Sequence, residues 1–150
     1  MDEPPAARLR EIAAADIPEI VPLLAQLGYQ MSFAEAVLRV AEVQRNPDHH
    51  LIIAELAGRI VGVIHVFDRP AIENPREAVV QAIVVDEAHR GFGIGRMLMA
   101  AAEEWGRERD CRSVVLSSNV ARTPAHAFYR ALGYRVAATA LVLRKPLSGR

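Results

Sequence analysis

The stretch His89-Arg-Gly-Phe-Gly-Ile-Gly-Arg-Met-Leu98 decides how this chain is read. Glycines stand at alternate positions 91, 93 and 95 behind Arg90, straight after the apolar run Val79–Val85, and a helical pattern follows with no linker. A buried strand that enters a helix through glycines leaves several backbone N–H groups aimed at one place. The first amides of a helix have no partner within it, and the helix dipole is positive there. Glycine lets a bulky anion approach the backbone and tolerates left-handed angles. The expectation is a pyrophosphate cradle made by the main-chain amides between Arg90 and Arg96, with the Arg90 guanidinium free to pair with a second phosphate. The plainer alternative is a tight turn that merely needs glycine; three alternating glycines behind an arginine favour the cradle. A dinucleotide fingerprint would open the fold at its first strand and needs a later acidic residue. A P-loop needs Gly-Lys-Ser/Thr, which does not follow here.

Outward from that turn, period and punctuation give the remaining elements. Leu9–Ala13 reads as a short strand, and Asp16-Ile-Pro-Glu19 as a helix start with Glu19 at the capping-box position. Ile17, Ile20, Val21, Leu24 and Leu27 recur at helical spacing up to Gly28. Ser32-Phe-Ala-Glu35 is a second capping box, its helix ending at Asn46-Pro47. His50–Leu56 and Arg59–Phe67 flank Ala57-Gly58 as a hairpin, and Asp68–Glu77 holds two prolines and reads as a loop. Ala78–Val85 has the continuous apolar character of a strand buried on both faces. After the glycines, Ile94, Met97, Leu98, Ala101 and Trp105 share a helix face. Ser113–Ser117 reads as a strand, Thr123-Pro124 opens a last helix with Ala125, Phe128, Tyr129 and Leu132 on one face, and Arg135–Lys145 reads as a closing strand. The order β-α-α-β-β-β-α-β-α-β, without repeat or linker, implies one α/β (α+β) domain over residues 1–150 with a mixed sheet, its first seven residues disordered. The strands on either side of the glycine-led helix should be parallel and central.

Bulk properties narrow the function. The 150 residues can bury a real core, and the 18 basic residues balance the 18 acidic ones, so nothing suggests a nucleic-acid partner or an acidic membrane surface. No apolar run is long enough for a membrane span, and the start of the chain lacks the basic-then-apolar pattern of a signal peptide. Cys111 is the single cysteine and reads as structural. These features fit a cytoplasmic enzyme or binding module with no metal.

Arg90-Gly-Phe-Gly-Ile-Gly95 resembles the Q/R-x-x-G-x-G/A signature of the GNAT family of N-acetyltransferases. The element order is similar to that family's order over nearly the whole chain. Asp16–Tyr29 resembles its first helix, and the run from Ser117 through Asn119, His126 and Tyr129 to Tyr134 its second cofactor-binding block. The resemblance implies acetyl-CoA as cofactor, with Ile83, Val84, Val85, Arg90, Gly91, Phe92, Gly93, Ile94, Gly95, Arg96, Asn119, His126, Phe128 and Tyr129 around it. It implies a backbone N–H of Val84 or Val85 as the group that polarises the thioester carbonyl where two parallel strands splay apart. It also implies Tyr129 as the general acid for the departing thiolate. Within the family the run Ser117–Tyr129 is similar to the aminoalkylphosphonate acetyltransferases. Those enzymes carry glutamates in the strand before the phosphate turn, where this chain has Val79, Gln81 and Ala82.

A primary amine with a pKa of about 10.4 must lose its proton before it attacks. His65, on a strand that could face the cleft, Glu73, Glu77 and a water chain are all candidate bases; Gln81 cannot accept a proton. Tyr29, Phe33, His65 and Gln81 are expected at the acceptor pocket. The reaction expected is direct acetyl transfer to a small-molecule amine. A peptide N-terminal or lysine acetyltransferase and a non-catalytic CoA-binding sensor are the alternatives. The apolar run Val136–Leu143 could pair with a second copy through a sheet edge, and the family resemblance implies a homodimer.

Overall fold

The computed structural model describes residues 6–118 and 123–148. Met1–Ser117 forms one compact unit and Ser118–Arg150 a second. The first unit runs β1 (Arg8–Glu11), α1 (Ile17–Leu27), α2 (Phe33–Gln44), β2 (His49–Leu56), β3 (Arg59–Arg69), β4 (Glu77–Val85), α3 (Ile94–Glu108) and β5 (Ser113–Leu116); α4 (Thr123–Ala131) lies in the second. The sheet order is β1-β2-β3-β4-β5, antiparallel throughout except for the β4–β5 pair, which is parallel. This is the mixed α/β arrangement expected from the sequence.

The hairpin turn is built as its residues require: Ala57 and Gly58 both take positive φ, 50° and 79°. Two bulges then set what each face carries. One shifts the β2–β3 register between Ala54 and Glu55, and the other shifts β3–β4 between His65 and Val66, leaving Gln81 of β4 outside the ladder. On one face Ile53, Ile60, Val63 and Val84 pack with Ile12 and with Ile20 and Leu23 of α1, joined by Val40 of α2 and by Leu51. On the other, α3 buries Ile94, Leu98, Met99, Ala102 and Gly106, and Trp105 stacks on His50 of β2.

Three expectations need correction. Arg135–Lys145 is not a strand: an apolar run becomes one only within a ladder, and this run is not among the sheet's strands; Val136 and Leu143 are 79% and 87% exposed. With no sixth strand among the described residues, β5 is an edge strand rather than a central one. The carboxylates at the start of α1 also do not form the expected box. Asp16 instead accepts from both Nη atoms of Arg10 (2.7 and 2.8 Å) and from the Ala13 N–H (2.7 Å), which holds its carboxyl below the usual range. Glu19 accepts from the Ile60 N–H at 2.9 Å, fixing α1 to the start of β3. At α2 the Ser32 cap is formed, the Glu35 N–H donating to Ser32 Oγ at 3.1 Å, while the Glu35 carboxylate takes its bond from Ser32 Oγ, at 3.3 Å.

Candidate active site

The β4–β5 ladder begins at Glu77–Ser113 and stops at Val80–Leu116, while β4 continues to Val85. From the bulge at Gln81 onward, β4 is therefore held by β3 on one side and has no β5 partner on the other. Strand geometry says which amides face that open edge. The Asp86 N–H donates to Val61 O at 2.8 Å, toward β3. Successive residues alternate in direction, so the Val84 N–H also faces β3 while those of Val85 and Ile83 face away. The Val85 carbonyl agrees: it accepts from Arg90 Nε at 3.3 Å, on the side away from β3. Of the two residues suggested by the sequence for polarising a carbonyl, Val85 has its amide at the splayed edge, and Val84 is anchored by a side chain buried against α1.

The chain leaves β4 through Asp86, whose carboxylate gathers the turn. It accepts from Gln26 Nε2 (2.8 Å) and lies 2.7 Å from His89 Nδ1, and the Glu87 N–H donates to Gln26 Oε1 at 2.9 Å. These contacts, the Gln26 bond first, hold the Asp86 carboxyl below its ordinary range. Gln26 on α1 thus clamps the entry to the glycine turn, a role that its place on an exposed helix face does not announce.

Gly91 and Gly93 take left-handed φ of 89° and 83°, and an added Cβ at either would meet no atom within 4 Å. Gly93 is the N-cap of α3 and the Met97 N–H is the first to close onto it, at 3.1 Å to Gly93 O. The amides of Ile94, Gly95 and Arg96 therefore have no carbonyl acceptor within the helix. No side chain caps this end, and the first turn holds no acidic residue. Ser, Thr, Asp or Asn at this cap would accept one of these bonds with its own side chain, which glycine cannot do. Here the donors are left open beside Arg90 and Arg96, both exposed, and Phe92 is 75% exposed on the turn. The open donors, the positive helix end and the absence of a competing carboxylate suit a phosphate group.

Of the four residues expected at the acceptor pocket, His65 lies on the α1/α2 face, paired across the ladder with Leu51. His65 sits opposite Ala82, beside the Gln81 bulge, and Gln81 itself is exposed. Burial, and then the neighbouring His49, push the His65 imidazole down to about 4. Tyr29, after α1, and Phe33, first in α2, are exposed large hydrophobics at 60% and 54%. Glu77 bonds Arg69 (3.4 Å) and Ser113 Oγ (2.8 Å), which engages both of its oxygens. In the second unit, α4 turns Ala125, His126, Phe128, Tyr129 and Leu132 to partly buried positions. The Tyr129 ring meets Phe128 edge-on at 5.1 Å and Tyr134 at 6.1 Å. Asn119 lies outside the described residues.

A helix end suited to phosphate thus follows a strand whose far half has no β5 partner. The model of the Acetyltransferase (GNAT) family matches residues 15–134.

The chain belongs to the GNAT acetyltransferase family.

As a member it is an N-acetyltransferase that uses acetyl-CoA. It is 28% identical over 143 residues to the aminoalkylphosphonate N-acetyltransferase of Salmonella typhimurium, covering 89% of this chain and 88% of that one. It is 35% identical over 80 residues to the glucosamine 6-phosphate N-acetyltransferase of Trypanosoma brucei brucei, about half of each chain (52%). A 58-residue match, 38% identical, to an aminoglycoside N(6')-acetyltransferase of Stenotrophomonas maltophilia spans 38% of that relative. Among solved structures, a protein from Bacillus halodurans described as a transcriptional regulator superposes with a TM-score of 0.86 at 25% identity, over 93% of this chain and all (100%) of that one. The aminoglycoside acetyltransferase AAC(6')-Iy in complex with CoA gives a TM-score of 0.88 at 18% identity, over 98% and 99% of the two chains. Among the described residues no helix is long and apolar enough to cross a membrane, and no three His, Cys, Asp or Glu side chains gather as a metal would need.

Proposed function

We propose that this enzyme transfers the acetyl group directly to the primary amine of a small molecule, in the cytoplasm. The observation that carries the reading is the pairing of an uncapped, acid-free α3 N-terminus with the unpaired edge of β4. The amides from Gly91 to Arg96 hold the pyrophosphate, and the Arg90 guanidinium adds a charge-assisted bond to it. Acetyl-CoA supplies the activated acyl group as a thioester. The Ile83 and Val85 amides bond along the open edge of β4, and the Val85 N–H serves the carbonyl oxygen as it takes on charge. The family resemblance assigns Asn119, His126 and Phe128 to the cofactor arm and Tyr129 to the proton that the leaving thiolate needs. His65 and Gln81 face the acceptor amine, with Tyr29 and Phe33 as its apolar rim.

Small-molecule acceptors are supported by the named relatives, which act on an aminoalkylphosphonate, an amino sugar phosphate and aminoglycosides. The exposed Val136–Leu143 run supports a homodimer in which it meets the second copy. A screen of free amines and of peptides, read by free-thiol release, tests the reading. Release with a free amine is expected; release with peptides alone, or none with either although CoA binds, would overturn it.

A further inference from the structure

His49 was not expected at the site, and no signal in the sequence marks it. The β2–β3 register pairs His49 with Phe67 and Leu51 with His65, so the two histidines are diagonal neighbours on one face. Leu51 packs against the α1 core, which identifies the face as that of α1 and α2. The His49 ring lies flat on Phe67, with centroids 4.8 Å apart and an interplanar angle of 11°. Its Nδ1 is 2.8 Å from His65 Nε2. At that distance one nitrogen donates and the other accepts, so each ring fixes the tautomer of its neighbour. Among the described residues, the far nitrogens, His65 Nδ1 and His49 Nε2, have no protein hydrogen-bond partner. The pair therefore has two open ends. His65 also stands across from Ala82, next to the bulge where β4 parts from β5.

We propose that His49 and His65 form a two-imidazole proton wire for the acceptor amine, with His65 as the base and His49 as the residue that positions and discharges it. This rests on the acetyltransferase reading above. His65 donates its Nε2–H to His49 Nδ1, which leaves His65 Nδ1 as a bare lone pair. As the amine nitrogen bonds to the acyl carbon and the thioester C–S bond breaks to release the thiolate, the amine's proton goes to His65 Nδ1. The Nε2 proton of His65 moves to His49 Nδ1, and His49 releases its Nε2 proton to water. Each ring gains one proton and loses one, so no charge accumulates on the pair, and both rings end as Nδ1–H tautomers. The starting pair returns when product leaves: water in the emptied pocket takes the His65 Nδ1 proton as the His49 Nδ1 proton moves back to His65 Nε2, and solvent reprotonates His49 Nε2.

The surroundings explain why two rings are needed. Burial makes an imidazolium at His65 costly, so a single histidine there would be a poor sink. Passing the proton on keeps His65 neutral throughout. The charged groups nearby do not offer an alternative. Further along β3, Arg69 is paired with Glu77 of β4; Asp48, just before His49, is paired with Arg109, which caps the end of α3; Gln81 is uncharged. From the helices over this face, Ala36 and Val40 of α2 and Ile20, Leu23 and Leu24 of α1 point inward. The charged residues of α2, Glu35, Arg39 and Glu42, and Arg45 at its end are exposed, and Glu19 of α1 is held by the Ile60 N–H.

Ring-nitrogen NMR on histidine-labelled protein, wild type and His49→Gln, with acetyl-CoA titrated into each, tests the wire. In the wild type, His65 is expected as the neutral Nε2–H tautomer from pH 5.5 to 8. The glutamine can accept the same hydrogen bond but cannot carry a proton onward. His49→Gln should therefore keep the tautomer and the acetyl-CoA affinity. It should lower kcat about a hundredfold with KM unchanged, for whichever of 2-aminoethylphosphonate, glucosamine 6-phosphate or neamine the wild type acetylates. An Nδ1–H tautomer or a charged ring at His65 at neutral pH overturns the wire, whatever the activity. An unchanged kcat in His49→Gln does the same. Failure of the wild type to bind acetyl-CoA would instead remove the acetyltransferase reading, with the tautomer result standing apart from it.

Discussion

Replacing Gly93 by alanine separates the energy of the backbone from the energy of the site. At φ 83° an L-residue is strained, and nothing lies within 4 Å of the new Cβ, so the folding cost is conformational and not a clash. That cost is about 1 kcal/mol, or roughly 2–4 °C in Tm for a chain of this size. Gly58, at φ 79° in the β2–β3 turn and equally open, provides the matched control. Gly58→Ala should lose the same stability. The two variants should differ in binding CoA. On the proposed phosphate reading, a methyl group at position 93 stands between the ligand and the α3 amides, and a lost charge-assisted hydrogen bond is worth about 1.5–3 kcal/mol. Calorimetric titration with CoA should show Kd raised roughly 10–100-fold in Gly93→Ala and unchanged in Gly58→Ala. Equal Kd values in both variants, with matched losses in Tm, would show that the turn is glycine-rich for its geometry alone. The phosphate argument would then fail.

Tyr129→Phe should lower kcat by about a hundredfold or more while leaving the Kd for CoA within about twofold, as measured by thiol release and calorimetry. Gln26→Ala removes one acceptor and one donor that hold Asp86 and the Glu87 amide; about 1 kcal/mol of stability and a several-fold loss of CoA affinity should follow, read by urea denaturation and titration. His65 makes stability depend on pH. Its native value is about 4 against an ordinary 6.5, so between these values the unfolded chain holds the extra proton. Stability is complete above the higher value and falls as pH drops through this window, by about 2 kcal/mol once the ring's partial solvation is allowed for. In denaturation at pH 7 and pH 4.5, that part of the slope should vanish in His65→Phe.

The parts of the fold that local chemistry dictates could be read from the sequence. The hairpin at Ala57–Gly58, the Ser32 cap and the strand–glycine–helix junction each depend on a few adjacent residues whose conformational demands are strong. The illegible parts depend on register. Without the bulge near Glu55, the two-residue turn would pair His49 with Val66 and put His49 and His65 on opposite faces. One unpaired residue brings the rings together, and no local preference in this sequence announces it. The Asp16 carboxylate shows the same limit: its spacing to Glu19 matches a capping box, yet Arg10, across a turn of chain, offers two charge-assisted bonds and wins. The run Arg135–Lys145 has strand composition, but strand composition describes a surface that suits a ladder and does not supply one.

The site depends on β4 being rigid on one side and open on the other, and one alternation produces both. Val84 buries its side chain in the α1 core and directs its amide toward β3, so its neighbour Val85 must present its amide to the opposite edge. Core packing on one face thus fixes which amide the open edge of β4 presents, the one proposed above for the acyl carbonyl. The bulge at Gln81 adds the second requirement. It ends the β5 ladder's reach and sets His65 beside the point where β4 becomes free. A substitution that straightened that bulge would shift β4 by one residue against β3 and turn Val84 away from its core. Stability and acetyl transfer should therefore be lost together there, whereas at Gly93 they can be taken apart.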